Sequence, residues 1–188
     1  DTQLDSALVY YYKSLAITDT ADKSEAISNL NDIATVYMSK GEFLKSDEAL
    51  TRAMQIARDI SDSLSLATTL QNVTFLKSLT AEFDKGLAQS DTAVQILVKA
   101  DLKVRLAACY SSRGTLLSGM GANREAVKAY LYADSLYRSE SLEMEGSVLY
   151  NNIGIIYTNQ GDYTTAMRYL QKALQSQRKG LVNETYLL

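Results

Sequence analysis

Residues 151–174, NNIGIIYTNQGDYTTAMRYLQKAL, carry two runs of apolar residues at helical spacing, and Gln160-Gly161-Asp162 separates the two runs. Apolar residues that recur every three or four positions predict a helix with one buried face. Glycine is the residue that most readily takes the left-handed conformation with which many helices end. The stretch therefore predicts two helices joined by a short turn.

The same arrangement recurs along the chain at steps of 40 residues, so that equivalent positions form columns. Two columns hold small residues, which let the helices of a pair approach closely: Ala34, Thr74, Gly114 and Gly154, and then Ser46, Gly86, Ala126 and Ala166. Gly41, Gly121 and Gly161 occupy the predicted turns. Ala81 occupies the same place in the second copy, and its Cβ is expected to make it a poorer end for a helix. The columns predict tandem helix pairs that pack side by side.

The pattern also gives approximate helix bounds within a single array over residues 1–188. The expected helices lie near 3–18, 24–40, 43–58, 63–79, 83–98, 103–119, 122–138, 142–159 and 163–178. The four full repeats are then 24–58, 63–98, 103–138 and 142–178. Residues 1–20 are interpreted as the second helix of a partial repeat, and 181–188 as the start of a further helix. Asp22 and Glu25 have the spacing of a capping box at the start of the first pair.

Composition favours a folded helical chain and disfavours several classes of partner. The 188 residues are 46% hydrophobic and 22% charged, with nine glycines and no proline, which suits helices better than strands and long loops. The net charge is −3, and without a concentrated basic patch we expect no nucleic-acid binding. No apolar run approaches the ~18 residues that cross a bilayer, so we expect no membrane insertion by this chain.

The residue inventory argues against catalysis. The chain has no histidine, which removes imidazole as a general base, as a partner for a nucleophile and as a metal ligand. Its single cysteine, Cys109, cannot form an internal disulfide, and a lone thiol leaves the compartment open between cytoplasmic and extracytoplasmic. Glycine-rich phosphate-binding motifs are also missing from the sequence. We therefore expect no catalytic residue, no metal site and no cofactor.

The repeated columns resemble the tetratricopeptide repeat, a helix-turn-helix unit with conserved small, aromatic and glycine positions. Ile153-Gly154, Tyr157, Gly161 and Ala166 match that pattern in the fourth copy, and the resemblance covers roughly residues 5–180. It implies an all-α fold, a right-handed α-solenoid of antiparallel helix pairs. HEAT-like repeats also run near ~40 residues, but they usually contain proline and do not carry these small-residue columns.

Three features depart from the usual tetratricopeptide pattern. The period is 40 residues rather than about 34, and the proline that normally closes a repeat is missing. Lys77 and Arg113 occupy columns that are apolar in other copies. We expect each of these two stems to pack while its charge reaches water.

The resemblance implies a concave groove lined by the first helix of each pair and occupied by a peptide or protein segment. The predicted groove residues lie between the packing columns and include no lysine or arginine: Asn31, Asp32, Thr35, Gln71, Asn72, Phe75, Ser111, Ser112, Thr115, Asn151, Asn152 and Ile155. Side-chain amides can donate to and accept from a peptide main chain, and Phe75 and Ile155 could seat an apolar side chain. The lack of basic groups disfavours the clamp for a terminal carboxylate that chaperone-binding members of the family use.

Two interpretations of function stay open. The first is a non-catalytic module that binds a peptide or protein segment, as the sensory or regulatory fragment of a larger protein. The second is a structural or self-association array with no discrete ligand, in which the asparagines only set the spacing between helices. Neither end of the array resembles the polar caps that normally close such proteins, which suggests a fragment of a longer array or of a multidomain protein and makes self-association through the open ends possible.

Overall fold

The computed structural model describes residues 2–142 and 145–185, and within these ranges the chain is entirely helical apart from its turns. The predicted all-α fold is confirmed. The helices are α1 (Thr2–Ala21), α2 (Lys23–Ser39), α3 (Phe43–Asp59), α4 (Ser63–Leu79), α5 (Phe83–Lys99), α6 (Lys103–Gly119), α7 (Asn123–Ser139), α8 (Gly146–Asn159) and α9 (Tyr163–Thr185).

The chain forms two compact units, Asp1–Lys99 and Ala100–Leu188. The first unit contains α1 to α5 and the second contains α6 to α9. Within each unit, consecutive helices pack as antiparallel pairs, among which α2 with α3, α4 with α5, α6 with α7 and α8 with α9 share the largest contacts. The continuity of all four repeats as a single array stays a prediction.

The turns share one backbone geometry, which recurs every 20 residues. A residue with positive φ stands in each turn from the end of α2 onward: Gly41 (73°), Ser61 (57°), Ala81 (57°), Asp101 (52°), Gly121 (77°), Ser141 (60°) and Gly161 (78°). The residue after it donates its N–H back into the helix, as from Glu42 to the carbonyl of Tyr37 at 2.9 Å and from Asp162 to that of Tyr157 at 3.0 Å. These bonds satisfy carbonyls that the end of a helix leaves unpaired. The 40-residue period is therefore two helix-turn units of equal length.

The first junction and the last helix depart from this spacing. Asp22 caps α2 in an extended conformation and accepts the N–H of Glu25 at 3.0 Å, as the predicted capping box requires of its first residue. At the other end, α9 continues through residues 181–185 instead of giving way to the separate helix expected from 181. Leu181 stands 20 positions after Gly161, and a leucine is poorly suited to the positive φ of the turn. Residues 186–188 of that expected helix lie outside the described residues.

The core of the first unit lies where α1 to α4 meet. Its largest buried side chains include Ile27, Ile33, Leu50 and Leu76, and all belong to the apolar faces of their helices. The small-residue column places Ala34 at the crossing of α2 and α3, fully buried. Close approach of the two backbones therefore follows from the columns read in the sequence.

Lys77 is more tightly held than the sequence suggested. Its stem packs in the first unit, but its ammonium group lies 2.8 Å from Asp47 Oδ1 and 2.9 Å from Glu82 Oε1 instead of standing free in water. Burial alone would lower the pKa of Lys77, and the hydrogen bonds with both carboxylates raise it above its ordinary value. The pKa of Glu82 falls to about 2 because Lys85, Lys77 and Thr80 donate to it. This charged residue in an apolar column thus has a structural partner on each side.

The core of the second unit is built around the Tyr130 ring of α7, which is 2% exposed. Leu149 and Ile153 of α8 pack in the same cluster. A Cβ on Gly114 of α6 would lie 2.6 Å from Cε1 of Tyr130, which is closer than two non-bonded carbon atoms can approach. The small-residue column therefore makes room for an aromatic ring at Gly114.

Candidate functional site

The predicted groove residues fall on four helices, two in each unit. In the first unit α2 lies beside α4, and in the second α6 lies beside α8. The structure divides the predicted residues into side chains that connect neighbouring helices and side chains that remain open to a ligand.

Asn31 of α2 is a connecting residue and does not face an open groove. It is 8% exposed, and its amide nitrogen donates to the Ile27 carbonyl at 2.9 Å and to Thr69 Oγ1 at 3.0 Å. Its amide oxygen accepts from Asn72 Nδ2 at 2.8 Å. A buried amide must find such partners or its desolvation is left uncompensated. Asn31 therefore joins α2 to α4, and this departs from the role expected for it in ligand contact.

A second connecting amide, Asn29, was missed by the sequence reasoning. It is buried in α2 and donates to Ser14 Oγ at 2.9 Å and to Thr18 Oγ1 at 3.2 Å, both on α1. The available signal was a polar residue within the apolar stripe of the helix, close to Ala26 and Leu30. An asparagine in such a stripe indicates a polar link between helices.

The open surface of the first unit lies on α4. Gln71, Phe75 and Leu79 recur at intervals of four residues and so share one side of the helix; we call these three residues the α4 face. Phe75 and Leu79 are exposed. Gln71 is half-buried, and its side-chain amide has no hydrogen-bond partner among the described residues.

On α2, the two remaining predicted residues differ in exposure, and Thr35 is exposed. The Thr35 hydroxyl donates to the Asn31 carbonyl at 3.0 Å. Asp32 is half-buried, and burial raises the pKa of its carboxyl group. The exposed predicted residues of the first unit are therefore Thr35 of α2 and Phe75 of α4.

On α6 the predicted residues are half-buried, and two of their hydroxyl groups bond within their own helix. Ser112 donates to the Ala108 carbonyl at 3.2 Å, and Thr115 donates to the Ser111 carbonyl at 3.3 Å. Thr115 Oγ1 also lies 3.1 Å from the Tyr130 hydroxyl. These side chains mainly stabilise α6 and its contact with α7.

Asn152 of α8 is the connecting amide of the second unit. Its side chain hydrogen-bonds the hydroxyl of Tyr130; burial raises the pKa of this tyrosine, while the bonds with Thr115 and Asn152 oppose that rise. Tyr130 therefore receives a side chain from α6 on one side and one from α8 on the other. Asn152 corresponds to Asn72, 80 positions earlier, which makes a similar link to α2.

The open surface of the second unit lies on α8. Asn151 is exposed, with no hydrogen-bond partner in the described part of the chain, and Ile155 is exposed one turn later. Val148, which the sequence reasoning did not single out, is exposed one turn earlier. We call Val148, Asn151 and Ile155 the α8 face. Its pattern of one amide beside two apolar side chains repeats the composition of the α4 face.

Neither face carries a charge or a group suited to catalysis. Among the described residues no cluster of three or more cysteine, aspartate or glutamate side chains could hold a metal ion, and Cys109 is buried. No helix in the described ranges has the length and apolar character needed to cross a membrane. The chemistry available at both faces is hydrogen bonding by an uncharged amide together with apolar contact.

Comparison with known proteins supports the same repeat type. Residues 148–183 match the family model described as Tetratricopeptide repeat, a segment that includes most of α8 and of α9. No curated protein sequence matches the chain.

Solved structures share the fold at low sequence identity. BtubC (BKLC) from P. vanneervenii has a TM-score of 0.76 at 18% identity, over 96% of this chain and 75% of that chain. A Rap protein complexed with Competence and Sporulation Factor has a TM-score of 0.82 at 15% identity, over 93% of this chain and 50% of that chain. The TPR-like repeats of a kinesin light chain from Podosopora anserina give 0.66 at 15% identity, over 95% and 89% of the two chains. The predicted fold of tandem tetratricopeptide-like helix pairs is confirmed.

Proposed function

We propose that this chain, which has the fold of tandem tetratricopeptide-like helix pairs, is a non-catalytic module in which the α4 face and the α8 face each bind an uncharged segment of a partner polypeptide. The observation that carries the proposal is the shared composition of the two faces. Each presents an amide without a partner in the described structure beside two exposed apolar side chains.

The chemistry of the faces suits a peptide main chain and its apolar side chains. An amide group can donate to a carbonyl and accept from an N–H of the same ligand. Scattered exposed apolar residues are ordinary on a protein surface, but those of the two faces lie next to the open amides of Gln71 and Asn151. Because neither face is charged, the partner segment gains nothing from acidic or basic residues there.

The comparisons support a binding role without naming the ligand. The Rap protein of similar fold was solved in complex with Competence and Sporulation Factor, which shows a protein of this architecture holding a partner. This chain covers half of that Rap chain. In the same proposal, the array is a sensory or regulatory region that responds to the segment it binds.

A matched set of variants separates binding from scaffolding. Peptides selected from a random displayed library against the chain should lose at least about tenfold in affinity, about 1.4 kcal/mol, when Asn151 and Ile155 are both replaced by alanine. The variant Asn152→Ala is the control, since its amide is tied to Tyr130 and its loss should lower stability more than affinity. Fluorescence anisotropy measures the affinities and thermal unfolding measures the stabilities.

The outcome also decides between a binding module and a structural array. If selection enriches no related peptides, or if the enriched peptides bind the Asn151→Ala/Ile155→Ala variant equally well, the α8 face is not a ligand site. A defined oligomer found by light scattering together with such a result would favour the structural interpretation.

A further inference from the structure

A pocket of about 340 Å³ lies at the start of α7, beside the end of α8, which packs against this helix. Its lining includes two cations and apolar side chains from both helices: Arg124, Lys128, Val127, Ile156 and Tyr157. We call it the α7 pocket. None of the residues of the α8 face lines it, so it is a separate surface of the second unit.

The two cations of the α7 pocket have no counter-charge within the described part of the chain. Arg124 and Lys128 are exposed and stand one turn apart on α7, so their like charges lie side by side and repel each other. Neither side chain makes an ion pair or a hydrogen bond with a described residue. Glu125, the one acidic residue of the sequence between positions 123 and 129, pairs with neither of them. An anion placed between the two cations would relieve their repulsion.

The equivalent place in the first unit carries its own counter-charge. Eighty positions earlier, Asp47 of α3 and Lys77 of α4 stand in the columns of Val127 and Tyr157. Asp47 Oδ1 lies 2.8 Å from Lys77 Nζ, so an ion pair within the chain occupies this place. In the second unit the aspartate of that pair is replaced by a valine. The α7 pocket therefore has cations but lacks the internal carboxylate that the first unit provides.

We propose that the α7 pocket binds an acidic segment of a partner polypeptide. A carboxylate of the segment meets Arg124 and Lys128 through charge-assisted hydrogen bonds, and a neighbouring apolar side chain packs against Val127 and Tyr157. Both contacts are needed, because exposed ion pairs are individually weak. The volume lies at the low end of the range of about 300–1,000 Å³ for ligand pockets, which suits one or two side chains rather than a whole helix.

The probe is a fluorescein-labelled random copolymer of glutamate and tyrosine, which presents acidic and aromatic side chains in many orders. The full chain is titrated into the probe, and fluorescence anisotropy measures binding. We expect saturable binding that weakens about tenfold or more in the double variant Arg124→Gln/Lys128→Gln. Added salt should weaken it as well, because salt screens exposed charges. Labelled polyglutamate, which lacks apolar side chains, should bind more weakly than the copolymer.

Two further variants separate the pocket from the net charge of the chain. Lys45→Gln/Lys85→Gln removes two exposed cations of the first unit, each of which lies 2.6 Å from a glutamate carboxylate, and it should bind the copolymer as the parent chain does. Val127→Asp restores the acidic residue that α3 has in this column, three positions after Arg124. It should weaken binding because the new carboxylate competes with the ligand for the cation.

Four results would overturn the proposal. The first is no saturable binding to the parent chain, and the second is an equal loss in the Lys45→Gln/Lys85→Gln variant, since net charge alone would then explain binding. The third is equal binding of polyglutamate, which would remove the apolar contact. The fourth is displacement of the copolymer by inorganic phosphate at constant ionic strength, which would make the pocket a phosphate site. Circular dichroism confirms that the variants fold, and none of these results bears on the peptide selection at the α8 face.

Discussion

Replacing Gly114 by alanine adds a methyl group to α6 where this helix crosses α7. The new Cβ would lie 2.6, 2.8 and 2.9 Å from Cε1, Cδ1 and Cζ of Tyr130. The ring has little room to retreat, because it is buried and its hydroxyl meets Thr115 at 3.1 Å. Overpacking of this kind costs about 1–3 kcal/mol, and the higher helix propensity of alanine offsets about 1 kcal/mol of that cost. We expect a net loss of up to about 2 kcal/mol in the free energy of unfolding.

The same substitution at Gly154 provides the control within the same unit. Its Cβ would approach Cδ2 and Cγ of Leu170 at 2.8 and 2.9 Å. Leu170 is 36% exposed, so its flexible side chain can turn toward solvent. The gain from the higher helix propensity of alanine then remains, and Gly154→Ala should be neutral or stabilising by up to about 1 kcal/mol.

Thermal unfolding followed by circular dichroism compares the two variants with the parent chain. For a chain of this size 1 kcal/mol corresponds to about 2–4 °C in Tm, so Gly114→Ala should melt several degrees below Gly154→Ala. Equal melting temperatures would refute the reasoning, because they would show that the Tyr130 ring yields as easily as the Leu170 side chain.

Three further substitutions test the turns, the small-residue column and the charge network. Ser46→Ala should leave the stability unchanged or raise it by about 1 kcal/mol in urea unfolding, because the buried Ser46 hydroxyl has no hydrogen-bond partner and such a group is costly; a clear loss would contradict this. Ala81→Gly should raise the Tm, since Ala81 holds φ at 57° and glycine relieves about 1 kcal/mol of left-handed strain, whereas a lower Tm would argue against it. The pKa of Glu82 lies below its ordinary value of 4.5, at about 2, so the ionised group stabilises the folded chain above pH 4.5 and this contribution is lost as the pH falls toward 2. Glu82→Gln should therefore lower the Tm at neutral pH and match the parent near pH 2, and a constant difference across that range would exclude the ion pairs as the cause.

The helix pairs could be predicted from the sequence because several weak signals coincide at one period. Small residues such as Ala34 and Gly114 mark the crossings, and Gly41, Gly121 and Gly161 mark the turns. The intervening turns at Ser61, Asp101 and Ser141 have the same positive φ but carry no glycine. Without glycine at these positions, the sequence did not predict that the turn geometry recurs every 20 residues. These turns are imposed by the packing of the helices they join.

The candidate site was less predictable, because sequence places its residues on a helix but does not fix the rotation of that helix. Neighbouring residues differ by about 100° around the axis, and tertiary packing decides which of them points outward. Asn31, chosen as a groove residue, is buried against Thr69. Val148, which was not chosen, is exposed on the α8 face.

The two pairs of adjacent amides illustrate how neighbouring residues of one helix come to have different surroundings. In Gln71-Asn72 and Asn151-Asn152 the second amide is tied to the preceding helices, through Asn31 in one unit and through Tyr130 in the other. The buried apolar residues of α4 and α8 orient each helix, and the first amide of each pair is turned about 100° away from the second. Under the proposed function, loss of the second amide should lower stability more than affinity, whereas loss of the first should weaken ligand binding and leave the fold unchanged. Under that proposal, the residues of the α4 and α8 faces can vary without disturbing the hydrogen bonds that link neighbouring helices.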